Sequence, residues 1–234
     1  MSDDGCVPQP HESRWTDVDN YFLETLVKTD PLFDDVLRRS DVAGLPAISV
    51  TAPQGKLLYL LASIQSSRNI LEIGTLGGYS TVWMARSLQP GGRLVTIEYE
   101  PLHAEVARET IRLAGLSDVV DLRVGAALDI LPTISAEHGP SFDFTFVDAD
   151  KPSAPAYFDW AVRLSRPGGL IVVDNVVRNG ALVDLEDDDP RVTGMRQLVA
   201  QVAADARVAA TGIQTVGSKG YDGFVLARVL PRSG

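Results

Sequence analysis

Several acidic or amide side chains of this chain come directly after apolar runs. Glu72 and Glu98 each end one such run, 26 residues apart, and Asp148, Asp174 and Asn175 follow two later ones. The carboxyl ends of parallel strands meet at one edge of an α/β sheet, and ligands bind at that edge. We therefore expect these five side chains to gather at a single site.

Three of these residues form a candidate metal site. Asp148, Asp174 and Asn175 offer oxygen ligands without His or Cys, which is the donor set of a hard cation, and Mg²⁺ that retains water molecules fits it best. The three histidines fall in a tail, a helix and a loop, which disfavours zinc. Aspartate or asparagine after a strand is also common as a helix cap or in an Asx turn, and Asp148-Ala149-Asp150 has the same alternative. Two such motifs at neighbouring strand ends favour the metal.

A glycine-rich turn follows Glu72, and a helix opens near Ser80. The turn reads Gly74-Thr75-Leu76-Gly77-Gly78, which is not the G-x-G-x-x-G spacing of dinucleotide sites. Glycines allow backbone and ligand to approach closely. A carboxylate at the strand end repels phosphate and suits a cationic or hydroxyl-bearing ligand. This favours S-adenosylmethionine, with Glu72 facing its methionine end.

The next two strand ends suit the rest of such a ligand. Glu98 can accept hydrogen bonds from both ribose hydroxyls, although Glu98 and Glu100 could also merely solvate the strand end. The small residues that begin the segment 125–129 leave room for a flat ring such as adenine.

Alternating strand and helix patterns must position these residues. The predicted fold class is α/β: a Rossmann-like, doubly wound, mostly parallel seven-stranded sheet with an antiparallel C-terminal edge pair and extra N-terminal helices. Residues 1–14 are predicted to be a flexible tail and 15–234 a single domain, in which the N-terminal helices, 15–66, form a lid or dimer region. Pro-Gly-Gly turns at 90–92 and 167–169 are expected to end helices. The predicted strands are 69–73, 93–97, 119–124, 142–147, 170–173, 208–215 and 224–229, and the predicted helices lie near 15–28, 31–40, 51–65, 80–88, 101–114, 126–134, 151–164 and 191–205.

Composition narrows the class of protein. The formal net charge of −10 over 234 residues argues against nucleic acid as a partner, because such binding depends on Lys and Arg neutralising phosphates. No run of about 18 apolar residues suggests a membrane span, and the N-terminus lacks the pattern of a signal peptide. The single cysteine, Cys6, can form no internal disulfide. We expect a cytoplasmic protein that binds neither nucleic acid nor membrane.

Taken together, these segments resemble the cation-dependent, S-adenosylmethionine-dependent O-methyltransferases, the group that holds catechol and caffeoyl-CoA O-methyltransferases, in its bacterial-type branch. The resemblance runs from about residue 48 to residue 224. Its most specific pieces are Leu71-Glu72-Ile73-Gly74-Thr75 with Gly78-Tyr79-Ser80, Phe146-Val147-Asp148-Ala149-Asp150-Lys151, Asp174-Asn175 and Asp222-Gly223-Phe224.

The resemblance implies a role for each matching position. Asp148, Asp174 and Asn175 would hold the metal, Lys151 would be catalytic together with Asp148, and Asn179 would contact the substrate. The family is also expected to form homodimers. The implied cofactor-binding residues are Val50, Glu72, Gly74, Thr75, Ser80, Glu98, Ala127, Asp148 and Asp150.

Some features depart from the catechol branch. Ala149 and Asp150 stand where that branch has aromatic residues, and no segment matches one that recognises coenzyme A, so a CoA thioester acceptor is not supported.

The implied activity is Mg²⁺-dependent transfer of a methyl group from S-adenosylmethionine to a hydroxyl of a catechol-like or phenolic small molecule. Lys151 could remove the acceptor's proton or, if it stays charged, stabilise the phenolate, and the sequence leaves both roles open. The alternatives are a non-catalytic S-adenosylmethionine-binding module and an NAD-dependent oxidoreductase. The latter shares the fold but would leave Asp174-Asn175 unexplained. A nucleic-acid base methyltransferase would need an Asn/Asp-Pro-Pro-aromatic segment and a basic face, and neither is present.

Overall fold

The computed structural model of the protein describes residues 10–28 and 30–231, and its centre is one seven-stranded sheet. The strand order is β3-β2-β1-β4-β5-β7-β6, in which β1 to β5 run parallel and β7 lies antiparallel to both β5 and β6. The predicted fold class is confirmed, including the antiparallel pair at the C-terminal edge. The strands are β1 (Asn69–Ile73), β2 (Arg93–Glu98), β3 (Val120–Val124), β4 (Phe142–Val147), β5 (Ser165–Asp174), β6 (Val208–Gly217) and β7 (Gly220–Val229).

Eight α-helices accompany the sheet within the described residues. They are α1 (Pro10–Phe22), α2 (Pro31–Val42), α3 (Ala52–Ile64), α4 (Tyr79–Ala85), α5 (Pro101–Leu113), α6 (Ala127–His138), α7 (Ala154–Leu164) and α8 (Pro190–Ala204). None of the helices in this part of the chain is long and apolar enough to cross a membrane.

Alternate residues of the central strands pack against different helices. Leu71 and Ile73 belong to the apolar cluster that includes α6, α7 and α8. Ile70 belongs to the cluster that includes α2, α3 and α4. Because side chains alternate along a strand, Glu72 lies on the same face as Ile70, towards α4. A sheet covered on both faces explains why four of the five β1 residues are buried instead of every second one.

Strand β5 differs from its predicted form. It begins at Ser165, five residues before the predicted start, and it includes the Pro-Gly-Gly segment at 167–169. Phe142 of β4 pairs with Ser165 while Phe144 pairs with Leu170, so the segment between them bulges out of the ladder. The turn residues are there as predicted, but they interrupt a strand instead of separating a helix from one.

The first N-terminal helix begins earlier than predicted. Helix α1 starts at Pro10 and continues into a π-helical turn over Leu23–Val27, so the last five residues of the predicted tail are helical, while 1–9 lie outside the described residues. Asp30 caps α2 by accepting from the Leu32 amide at 2.9 Å, and Thr51 caps α3 by accepting from the Gln54 amide at 3.3 Å. Both caps satisfy amides that a helix start leaves free.

Candidate active site

The predicted acidic residues lie at the carboxyl ends of four adjacent strands. Glu98 ends β2 and Asp174 ends β5, while Glu72 is one residue from the end of β1 and Asp148 directly follows β4. These strands are neighbours in the order β2-β1-β4-β5. The sheet therefore brings the predicted site residues to one edge.

The glycine-rich turn is packed against the backbone that follows β4. Gly74 has a φ of +97°, and a Cβ atom at this position would lie 2.0 Å from the carbonyl oxygen of Asp148. Such a distance is far inside van der Waals contact, so only glycine fits. Gly78, with a φ of +86°, begins α4 as its N-cap. The turn thus holds Asp148 in place as well as opening the helix.

Glu72 is completely buried, with 0% of its surface exposed. Its carboxylate accepts hydrogen bonds from the hydroxyls of Ser80 at 2.6 Å, Thr81 at 2.5 Å and Thr96 at 2.8 Å. Burial raises the pKa of Glu72 to about 7, against the lowering effect of the three hydroxyl groups. In this arrangement the Glu72 carboxylate has no exposed surface of its own.

Glu98 is held by backbone amides. One carboxylate oxygen accepts from the amides of Thr75 at 3.0 Å and Leu76 at 2.8 Å, and the other accepts from the Glu100 amide at 2.9 Å. His103, which the sequence did not single out, lies 3.4 Å from Glu98 through Nδ1. Glu98 is buried, so the reading that it merely solvates a strand end does not hold.

Asp148 forms an ion pair with Lys151. Lys151 Nζ donates to Asp148 Oδ1 at 2.7 Å, and the lysine side chain is only 11% exposed. Helix α8 packs closely behind this pair, because a Cβ atom at Gly194 would lie 2.3 Å from the Lys151 carbonyl oxygen. The backbone of the predicted catalytic lysine is therefore fixed by tertiary packing.

Asp174 is the more buried of the two aspartates. Its Oδ1 accepts from the Asn175 amide at 2.9 Å and its Oδ2 from Gln54 Nε2 at 2.6 Å. Burial raises the pKa of Asp174 to about 7, the negative charge of Asp148 adds to this, and the charge of Lys151 opposes it. Asp148, Lys151 and Asp174 are thus close enough for their charges to interact.

The donor set at this edge fits a hard divalent cation. Two carboxylates stand close together, one of them buried, and the Asn175 amide follows directly; a bound cation would relieve their mutual repulsion. Within residues 10–28 and 30–231 no three His, Cys, Asp or Glu side chains form a metal-binding group, so the third protein ligand here would have to be Asn175. Asp174 and Asn175 do not cap a helix, because the next helical turn, Arg178–Val183, begins after Val177.

Gln54 was not predicted from the sequence, although it contacts Asp174. It lies in the first turn of α3, which Thr51 caps, and its bonding partner is 120 residues away in the chain. No local pattern marks such a contact. Gln54 holds one oxygen of Asp174 and so fixes the direction of that carboxylate.

Replacing Gln54 with leucine should weaken divalent-cation binding about 10- to 100-fold, the usual effect of removing a group that orients a metal ligand. The measurement is titration calorimetry of Mn²⁺ into the protein. Gln65→Leu is the matched control, because Gln65 donates to the Gly168 carbonyl and not to a carboxylate. Equal cation affinity in the two variants would contradict the role of Gln54.

The remaining predicted residues take different positions. Asp150 caps the short turn Lys151–Ser153 by accepting from the Ser153 amide at 3.2 Å, and it also accepts from the Tyr157 hydroxyl. Asp150 therefore acts as a helix cap, which is the alternative role that the sequence left open for it. Asn179 is exposed, whereas Val50 and Ala127 are buried at the start of α3 and of α6.

Two cavities lie near this edge. One of about 440 Å³ is enclosed by α1, α2, the segment 45–53 and the turn between β6 and β7, and it is lined by Val50 and Tyr79. The other, of about 490 Å³, lies among α8, β6 and the segment 176–183, and none of the predicted site residues lines it.

Comparisons with known proteins define the family. The O-methyltransferase family profile matches residues 24–230, and the chain belongs to this family. The prediction is confirmed: the protein is an S-adenosylmethionine-dependent O-methyltransferase. The non-catalytic and oxidoreductase alternatives are set aside.

Individual O-methyltransferases resemble this chain in both sequence and structure. The chain is 50% identical over 213 residues to a catechol O-methyltransferase of Mycobacterium tuberculosis, which covers 91% of this chain and 95% of that protein. It resembles an O-methyltransferase from Bacillus cereus in complex with SAH, at a TM-score of 0.91 and 53% identity over 93% of this chain and 99% of the other. The O-methyltransferase TomG of Streptomyces achromogenes, in complex with SAM, matches at a TM-score of 0.92 and 50% identity over 95% and 100% of the two chains.

Proposed function

We propose that this enzyme methylates a hydroxyl of a catechol-like or phenolic small molecule and needs Mg²⁺ or another hard divalent cation to do so. The observation that carries the proposal is the grouping of Asp148, Asp174 and Lys151 at one sheet edge, with Asn175 directly after Asp174. Two relatives that are each 50% identical, from Mycobacterium tuberculosis and Niastella koreensis, are named catechol O-methyltransferases, which supports this class of acceptor.

Asp148, Asp174 and Asn175 would hold the cation. When bound, a divalent cation acts as a Lewis acid and template, lowering the cost of ionising a phenol and fixing two vicinal oxygens. Gln54 donates a hydrogen bond to one Asp174 oxygen and so fixes the orientation of that carboxylate. Asp174 is only 3% exposed, so little water competes at its carboxylate.

Lys151 would act on the acceptor hydroxyl. Its ammonium already donates to Asp148 at 2.7 Å in a nearly closed environment. As the ammonium it can stabilise the oxygen as negative charge develops, whereas taking the acceptor's proton would require that Lys151 first give up a proton to solvent and act as the neutral amine. A preorganised charge in a water-poor site is worth far more than the same charge in water.

Other residues would hold the reactants in line. Methyl transfer needs an oxygen aimed at the methyl group, and orientation of this kind can supply roughly 7–11 kcal/mol. Asn179 is proposed to contact the acceptor. The residues proposed to bind S-adenosylmethionine are Val50, Glu72 through Ser80, Gly74, Thr75, Glu98, Ala127, Asp148 and Asp150.

We also propose a cytoplasmic homodimer formed through the N-terminal helices. The outer side of α1 and the turn after it exposes three large apolar side chains: Tyr21 at 64%, Phe22 at 41% and Leu26 at 71%. Exposed apolar clusters of this kind are common at interfaces. Sedimentation equilibrium that reports a monomer at micromolar concentration would reject the dimer.

The activity can be tested by incubating the pure protein with methyl-labelled S-adenosylmethionine and catechol, first with Mg²⁺ and then with EDTA. We expect label transfer that EDTA abolishes and added Mg²⁺ restores. Transfer that survives EDTA would contradict the metal site at Asp148, Asp174 and Asn175. A protein that binds S-adenosylmethionine but transfers no label to catechol would contradict the proposed acceptor class.

A further inference from the structure

The turn between β6 and β7 is fastened to the N-terminal part of the chain at two points. The Ser218 amide donates to Asp19 Oδ2 at 2.8 Å, and Lys219 Nζ donates to the Ser49 carbonyl oxygen. Gly217 lets the turn approach α1, because a Cβ atom there would lie 2.5 Å from Asp19 Oδ2. The turn thereby becomes one wall of the 440 Å³ cavity that Val50 and Tyr79 also line.

The charge of Lys219 interacts with the two aspartates of the proposed metal site. It is an exposed residue at the rim of the cavity, but surrounding atoms partly desolvate its ammonium, which lowers its pKa. The negative charges of Asp148 and Asp174 act in the opposite direction and raise it. The ammonium therefore lies within electrostatic reach of both aspartates, although it belongs to a distant part of the chain.

Lys219 has donors to spare. An ammonium group has three N–H donors, and among the residues that the structure describes only the Ser49 carbonyl accepts from one of them. Across the described ranges, no carboxylate lies within 4.0 Å of its Nζ, whereas Lys151 has Asp148 at 2.7 Å. Among the described residues that line the cavity, Lys219 is the one cation; Asp34 and Asp41 stand on the α2 wall, and Asp19 is engaged by Ser218.

A divalent cation held by Asp148 and Asp174 would balance their two negative charges. Among the described residues Lys219 would then have no carboxylate within ion-pair distance, and its unused N–H donors could form a charge-assisted hydrogen bond to an anionic group that enters the cavity. Because the proposed acceptor would bind the cation that these aspartates hold, it would lie in the same region of the protein as Lys219.

We propose that Lys219 is a specificity-determining residue that binds an anionic substituent, a carboxylate in the first instance, on the methyl acceptor. This inference rests on the proposed function and narrows its acceptor class to phenols or catechols that carry a negative charge away from the reacting hydroxyl. A charge-assisted hydrogen bond in a partly enclosed site corresponds to a preference of about 10- to 100-fold.

The test compares two acceptors that differ only in charge, 3,4-dihydroxybenzoate and 3,4-dihydroxybenzamide, with saturating S-adenosylmethionine and Mg²⁺. The wild-type enzyme should prefer the benzoate, and Lys219→Met should lower the ratio of the two kcat/KM values about 10- to 100-fold. Lys219→Arg should restore most of the preference. Titration calorimetry of each acceptor into the Mg²⁺-loaded protein gives the same comparison without turnover.

Lys56→Met is the charge-matched control, because Lys56 lies over the ring of Tyr59 and does not line the cavity. The ratio of the kcat/KM values for the two acceptors in Lys56→Met should equal that of the wild type. Equal losses for both acceptors in Lys219→Met would show a purely structural role for the Ser49 contact and would overturn the inference. So would a wild type that binds both acceptors equally or binds neither. Failure of the proposed function differs from this result, because it would appear as EDTA-resistant or absent transfer to catechol in the wild type.

Discussion

Replacing Lys151 with alanine should lower turnover of the Mg²⁺-loaded enzyme about 100- to 10,000-fold, the range expected when a group that moves a proton or stabilises a developing charge is lost. S-adenosylmethionine binding should stay intact, because Lys151 is not among the residues proposed to bind it. The Lys151 side chain is 11% exposed and its ammonium lies 2.7 Å from Asp148, so bulk water cannot take its place easily. Turnover is measured by label transfer and cofactor affinity by calorimetry.

A second variant separates the two roles of Lys151. Arginine stays protonated in proteins, so Lys151→Arg can stabilise a negative charge but cannot accept a proton. Partial recovery relative to alanine would indicate charge stabilisation, whereas equal loss would indicate proton removal. Unchanged turnover in Lys151→Ala would take this residue out of the mechanism.

Replacing Gly74 with alanine should have the largest effect on stability. The φ of +97° is unfavourable for alanine, and the new Cβ atom would lie 2.0 Å from the Asp148 carbonyl oxygen and 2.7 Å from its carbonyl carbon. Neither is the end of a flexible side chain, so β1, β4 or both must shift. We expect a loss of about 4 kcal/mol or more in the free energy of unfolding, which belongs to the most damaging class of single substitutions.

Gly91→Ala is the matched control for this prediction. Gly91 also has a positive φ, +76°, but no atom lies within 4 Å of the position that a Cβ would take. Gly91→Ala should lower the free energy of unfolding by only about 1–2 kcal/mol, the cost of placing an alanine in a left-handed backbone conformation. Chemical denaturation of both variants gives the difference. Similar losses for the two would mean that the turn does not press on Asp148.

The sequence predicted the sheet and its edge well because the signals are local. Strands β1 and β4 end where predicted, since each is a short buried apolar run between turn residues. The acidic tips follow directly from those ends. Thr51 has the residue type and the place before a helical pattern that mark a cap, and Asp30-Pro31 marks a helix start.

Contacts between distant segments could not be predicted in the same way. Gln54 meets Asp174 across 120 residues, and nothing in the neighbourhood of either residue indicates the other. Glu72 was placed correctly at a strand end, but the three hydroxyls that enclose it come from α4 and β2. The bulge in β5 escaped prediction because Pro-Gly-Gly has the same composition whether it separates two elements or interrupts one.

The fastening of the β6–β7 turn to α1 and to Ser49 also has a consequence for how the protein is made. Ser218 is 199 residues from Asp19, and Lys219 is 170 residues from Ser49. Contacts this distant form late, because the chain between them must first be ordered. A ribosome delivers Glu72, the glycine-rich turn and Glu98 before the segment that carries Lys219. The cavity wall therefore closes only after the strands that carry the residues proposed to bind the cofactor have been synthesised.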